Sequence, residues 1–265
     1  MNFFSLTSVA VTLLLVLLLG GSAAFGIAVG RRRRTQPDAE PRPVGVVQGA
    51  LLGLVGLLLA FGLSMAVGRY ETRRALVVQE ANDIGTTYLR AQLLAEPERS
   101  DSLALLRHYS DSAIAMAESV PDTPRYRVAV ADIERIQNDL WTQAGKAVAA
   151  DSLGTAPRLY IETLNDTIDT HTERTASLSN RVPTPVMVLQ ILGSMLALGA
   201  LSMYVTMLGR GVTTSLVTMS ILLIILFVSI DLDRPHRGFI TVPSTALHDV
   251  RDSMDGPPAA AAPQG

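Results

Sequence analysis

The chain contains no cysteine. Disulfides, thiolate metal sites and cysteine nucleophiles are therefore excluded, and redox chemistry gives no clue to compartment. Lysine occurs once, at Lys146, and every other basic residue is arginine, in keeping with a GC-rich genome. The formal net charge is only −2, so there is no basic footprint for nucleic acid. No G-x-S-x-G, phosphate-binding loop, dinucleotide fingerprint or H-E-x-x-H pattern occurs. His108, His171 and His236 have no partner at metal-ligand spacing. No catalytic residue, metal or cofactor is expected, and the chain does not read as an enzyme.

What is present is apolar length. At 48% hydrophobic residues, the chain is too apolar for an ordinary soluble protein of its size and fits a membrane protein with a polar portion. Residues 44–68, VGVVQGALLGLVGLLLAFGLSMAVG, carry no charge and one amide, Gln48. About 20 apolar residues cross a bilayer as a helix, so this stretch is a transmembrane span. Gly45, Gly49, Gly53, Gly56, Ala60 and Ser64 recur every three or four positions and share one side of it. Small residues let a second backbone approach closely in lipid, so this side is expected to be a helix-packing seam. Packing inside one subunit, a contact between subunits, or the lining of a path could each use it.

Residues 1–30 form another apolar run, which reads as a retained first span. A cleaved signal peptide would have a basic residue before the run, and there is none. Arg31, Arg32, Arg33 and Arg34 then act as a stop and open a short loop, 31–43, broken by prolines. These arginines are a topology signal and a candidate contact for anionic lipid heads. Residues 69–182 are polar and predict four amphipathic helices in an antiparallel bundle. The expected inward positions are Val77, Ala81, Ile84, Tyr88, Ala91 and Ala95 in the first. Leu103, Leu106, Ile114 and Ala117 follow in the second, and Val130, Ile133, Ile136, Leu140, Trp141 and Val148 in the third. Ile161, Leu164, Ile168, His171, Thr175, Leu178 and Val182 complete the fourth. Thr123-Pro124 is a helix-start signal. Gly85, inside a helical pattern, marks a close crossing. Glu162, Asp166, Asp169 and Glu173 share a face that reads as solvated.

Residues 183–208 and 212–230 are the third and fourth spans, joined by a tight turn at 209–211. Residues 231–255 form a juxtamembrane segment, and 256–265 a disordered tail. Asp231, Asp233, Arg234 and Arg237 make a dense charge cluster at the membrane exit. They could pair with one another or form an ionic ring in an oligomer. The fold class is thus an all-α integral membrane protein: four spans, with an extramembrane bundle between the second and third. Both termini and the bundle share one side. Arg31 to Arg34, Arg42 and Arg210 weight the short loops toward the cytoplasm, which puts the bundle outside. Arg69, Arg73, Arg74, Arg181, Arg234 and Arg237 lie near span ends on the bundle side and weigh against it.

Several stretches resemble a family of bacterial four-span membrane proteins, the bestrophin-like proteins. They are LLLAF (57–61), EANDIGTTYLRAQLL (80–94), LNDTIDTHTERTA (164–176), the short turn before the fourth span, and LDRPHRG (232–238). The resemblance implies a bacterial inner-membrane address and a homo-oligomeric channel, with an inorganic anion as partner besides the lipid bilayer. It departs from true bestrophins in a second span with one aromatic, Phe61, and in lacking an acidic calcium clasp after the fourth span, so no pore residue is carried over. The alternative is a non-conducting sensor, scaffold or accessory protein acting through its bundle.

Overall fold

The computed structural model describes residues 8–35, 41–121, 123–209, 212–234 and 238–256, with backbone alone for 41–44. The expected disordered tail, the middle of the arginine loop, Arg210, His236 and Arg237 lie outside these. Among these residues eight helices follow in order: α1 (Ser8–Arg34), α2 (Pro41–Ala91), α3 (Glu98–Ala117), α4 (Pro124–Ala150), α5 (Thr155–Ser179), α6 (Thr184–Met207), α7 (Thr213–Leu232) and α8 (Thr245–Ser253). Four helices contain apolar windows long enough to cross a membrane, and the chain is an all-α integral membrane protein with an extramembrane helical bundle. Its contacts form two units. One is Met1–Tyr70 with Arg181–Thr241, the other Glu71–Asn180 with Val242–Gly265.

In the membrane unit α1 and α6 pack closely along their length. Burial of apolar surface does not drive association in lipid, so packing must supply the contact. Ser22, Gly26 and Gly30 of α1, spaced by four, lie against Met195, Gly199 and Met203 of α6, also spaced by four, and the two helices run in the same direction. The Ser22 hydroxyl donates to the Met195 carbonyl at 2.5 Å. A Cβ at Gly26 would collide with the Gly199 carbonyl. The helix α1 does not stop before the arginines but runs through Arg34, because arginine is a good helix former and cations suit a helix C-terminus. α2 runs antiparallel to α6: the Gln190 amide lies on Gly62 and donates to the Leu58 carbonyl at 3.0 Å. Val11, Leu15, Leu19, Val55, Leu59, Leu198 and Leu226 fill the core between these helices.

The bundle unit has its own core. Val77, Ala81, Ile84, Tyr88 and Ala91 of α2 are all buried, as their spacing predicts, whereas Ala95 is exposed. In α4 the Thr123 hydroxyl caps the helix by accepting from the Tyr126 N–H, with Pro124 in the first turn. The buried side of α4 is Ala129, Ile133, Ile136, Leu140, Ala144 and Ala147, and Trp141 faces outward. In α5 the inward side is Tyr160, Leu164, Thr167, His171 and Arg174, displaced from the expected Ile161, Ile168 and Thr175. The cause is a buried polar group that turns Arg174 inward. The juxtamembrane segment holds a further bundle element. α8 buries Leu247 and is followed by buried Met254, and Val250 packs on Gly85. The close crossing at that glycine is thus made by α8.

Substituting Gly26 should damage the membrane unit. A methyl there meets a backbone carbonyl that cannot rotate away, so Gly26→Ala is expected to cost about 1–3 kcal/mol. Gly21→Ala, on the same helix, meets nothing within 4 Å and should be neutral or stabilising by up to about 1 kcal/mol, since alanine is the better helix former. Thermal unfolding of the two purified variants in detergent checks this. Equal melting temperatures would contradict the α1–α6 contact.

Candidate functional site

The membrane part of α2 has three sides. Gln48, Val55, Leu59, Gly62 and Ala66 are buried against the chain's own helices. Successive residues turn by about 100°, which places the small-residue stripe roughly 110° round the helix from that side. Gly49, Gly53 and Gly56 have no heavy atom within 4 Å of a Cβ position, and Ala60 and Ser64 are exposed. Gly45 alone of the stripe is covered, by the Tyr204 ring. The third side carries Leu54, Leu57 and Phe61, each more than half exposed. The expected seam therefore lies outward from its own subunit, while the close glycine packing within the subunit belongs to α1 and α6. Gly26 and Gly30 were readable only as part of an apolar run. Nothing in their spacing names a partner helix so distant in sequence.

The charge cluster after α7 is drawn into the protein. Asp231, Asp233 and Arg234 are all buried. Asp233 accepts from the Val182 N–H with both carboxylate oxygens at 3.0 Å. Asp231 accepts from the Ser8 hydroxyl at 3.3 Å and the Ile240 N–H at 2.9 Å. Gly238 leaves room for it, since a Cβ there would strike the Asp231 carboxyl. The two carboxylates thus tie the start of α1, the start of the α6 segment and the chain beyond α7 to the end of α7. Among the described residues no group of His, Asp and Glu could hold a metal ion.

A third arrangement was not legible in the sequence as a unit. Glu80 of α2 is fully buried in the bundle. Arg174 of α5 donates to one of its oxygens. His171, one turn earlier, lies 2.8 Å from the other through Nδ1, and Tyr109 of α3 donates to that same oxygen at 3.4 Å. The Tyr109 and His171 rings meet edge to face, centroids 6.1 Å apart. His171 is thus a hydrogen-bonded core residue. The other ring nitrogen, Nε2, lies 3.5 Å from the Thr175 hydroxyl. Burial by itself raises the Glu80 carboxyl, but the Arg174 charge and then His171 outweigh it and hold the group below its ordinary value. Burial, and then the Glu80 charge, push the Tyr109 phenol well up. Two signals were available: Glu80 breaks an apolar spacing, and His171 and Arg174 are three apart, which puts them on one helix face. Glu162, Asp166, Asp169 and Glu173 are exposed, as a solvated face should be.

A family model for the Bestrophin-like domain matches residues 8–247. A bacterial bestrophin homologue from Klebsiella pneumoniae shares 13% identity with the chain, covering 90% of it and 96% of the homologue, with a TM-score of 0.68. A point mutant of that homologue gives 13% identity, 89% and 97% coverage and a TM-score of 0.66. A solved structure described only as a membrane protein gives 14%, 90% and 96%, and 0.68. At such identities the likeness is one of fold. Comparison with curated proteins gave no match.

The Glu80 pair sets a pH dependence. A carboxyl held below its ordinary value gives stability that is full above the unfolded pKa and lost as pH falls through the folded one. The bundle should therefore lose stability as pH drops below 4.5, the ordinary value. Glu80→Gln should remove that loss and cost about 3–5 kcal/mol at neutral pH, because Arg174 is left buried without its anion. Chemical denaturation of both proteins across pH 3 to 7, read by helical circular dichroism, checks this. An unchanged acid profile in the variant would contradict it.

Proposed function

The chain belongs to the bestrophin-like family, and from that membership we propose that it is a homo-oligomeric channel for a small inorganic anion. The observation that carries the reading is the open glycine side of α2. Among the described residues nothing lies within 4 Å of a Cβ at Gly49, Gly53 or Gly56 beyond their own helix, which leaves that side for a neighbouring copy. α2 then lies nearest the axis. Its membrane part carries no charge, so conduction runs through an apolar constriction that opens by wetting. No catalytic chemistry belongs to this reading. The arginines at the end of α1 support an orientation in a bacterial inner membrane with that end in the cytoplasm and both termini and the bundle outside.

A second reading, a non-conducting sensor or scaffold, draws on one observation. The bundle has a core of its own, with a buried charged group at Glu80, and so could hold two states without a pore.

Halide flux into liposomes separates the two. A Cβ at Gly53 has no described atom within 4 Å beyond its own helix, so Gly53→Leu should still let the subunit fold and insert. Wild-type protein should pass chloride above empty liposomes, and Gly53→Leu should lose that flux along with the oligomer seen by chromatography. Absence of flux from wild-type protein at every pH and calcium level would overturn the channel reading and favour the sensor.

A further inference from the structure

Helices α1 and α6 touch along their glycines, and the side chains flanking that line splay apart. They leave an apolar groove of about 460 Å³, walled by Gly21, Phe25 and Val29 of α1 and Leu196, Ala200 and Met203 of α6. It opens outward: Phe25 is 72% exposed and Leu196 67%, and no heavy atom lies within 4 Å of a Cβ at Gly21. The α1 wall repeats every four residues, and the next position in that row is Arg33. Because α1 stays helical through Arg34, Arg33 stands about 6 Å beyond Val29 along the axis, with Arg32 beside it. Both are exposed.

No described carboxylate of this unit can neutralise them. The acidic residues described there are Asp231 and Asp233, both buried. The Ser8–Asp231 hydrogen bond puts Asp231 at the opposite end of α1, roughly 37 Å from Arg33. For the same reason the described membrane surface of a second copy has no exposed carboxylate to offer. Among the described residues, then, the groove and its arginines fit an occupant that is apolar along its length and anionic at one end. A guanidinium pairs with phosphate through two parallel hydrogen bonds.

We propose that the α1–α6 groove binds an anionic phospholipid, with an acyl chain against Gly21, Phe25 and Val29 and the headgroup phosphate on Arg33 and Arg32. The arginines are then one end of a lipid site as well as a topology signal. A lipid whose headgroup also carries an ammonium binds less well, because that cation faces the arginine cluster.

Native mass spectrometry of the purified full chain in detergent tests this, with phosphatidylglycerol and phosphatidylcholine titrated separately. Wild-type protein should retain phosphatidylglycerol at clearly lower lipid concentration, and each neutralised arginine should weaken that preference by roughly fivefold. Arg32→Gln/Arg33→Gln should bring phosphatidylglycerol down to the phosphatidylcholine level. Gly21→Leu, which fills the groove without touching the arginines, should weaken both lipids. Melting temperatures near wild type establish that the variants are folded. Equal retention of the two lipids by wild-type protein, or an undiminished preference in the double arginine variant, would overturn the site. Full competition by glycerol phosphate would show a free-anion site instead. A change of oligomeric state in Gly21→Leu with lipid retention intact would show that a second copy covers the groove.

Discussion

The contact on which the membrane unit depends is backbone against backbone, at Gly26 and Gly199. Lipid tails are as apolar as leucine, so helices gain little by burying leucines from them. Close approach supplies the attraction, and only residues without bulk permit it. Once α1 and α6 are fixed, other features follow. The Ser22 hydroxyl can reach the Met195 carbonyl. Side chains beside the contact diverge and leave the groove. Arg34 comes to rest over Gly209 at the end of α6, where a φ of +69° suits glycine. On the far side of α6, Gln190 repeats the device by lying on Gly62 of α2.

The bundle solves a different problem. In water, burial of Ile84, Leu106, Tyr109, Ile133, Leu140 and Leu164 drives association, and such a core needs no charge. It nevertheless encloses Glu80 and Arg174. A buried pair of this kind adds little net stability over an apolar replacement, while loss of one partner is severe. Its effect is on specificity. Only one rotational setting of α5 against α2 and α3 brings Arg174, His171 and Tyr109 to the same carboxylate. That accounts for the displaced inward face of α5, where threonines and an arginine turn inward while Ile161 and Ile168 stay only partly buried.

How much was readable follows from this contrast. Spans are legible because hydropathy is a local property, and the helix start at Thr123-Pro124 because capping is local too. In the first bundle helix the apolar buried positions Val77, Ala81, Ile84, Tyr88 and Ala91 are legible from their spacing, and the buried polar ones, Glu80 and Thr87, are not. Reading failed where a partner distant in sequence decides the outcome. Trp141 is apolar yet faces outward, since the neighbouring row of α4 ending in Ala144 and Ala147 lets helices approach more closely. Asp231 and Asp233 look like interfacial charges because a sequence does not display the N–H groups of Val182 and Ile240. The segment after residue 241 belongs to the bundle through α8, a helix too short to announce a face.

The glycines of α1 and α2 differ in a way that bears on function. Each glycine inside a helix costs about 1 kcal/mol relative to alanine. Gly26 and Gly30 offset that cost within the chain, because α6 fills the space they leave. Gly49, Gly53 and Gly56 recover nothing from their own chain. Lipid does not supply the difference, since a flexible acyl chain packs as well against alanine. A rigid surface of matching shape does, and another copy of the same stripe has that shape. On the proposed channel reading the compensating contact belongs to the assembly, and the path through the membrane runs beside α2 rather than inside a single subunit.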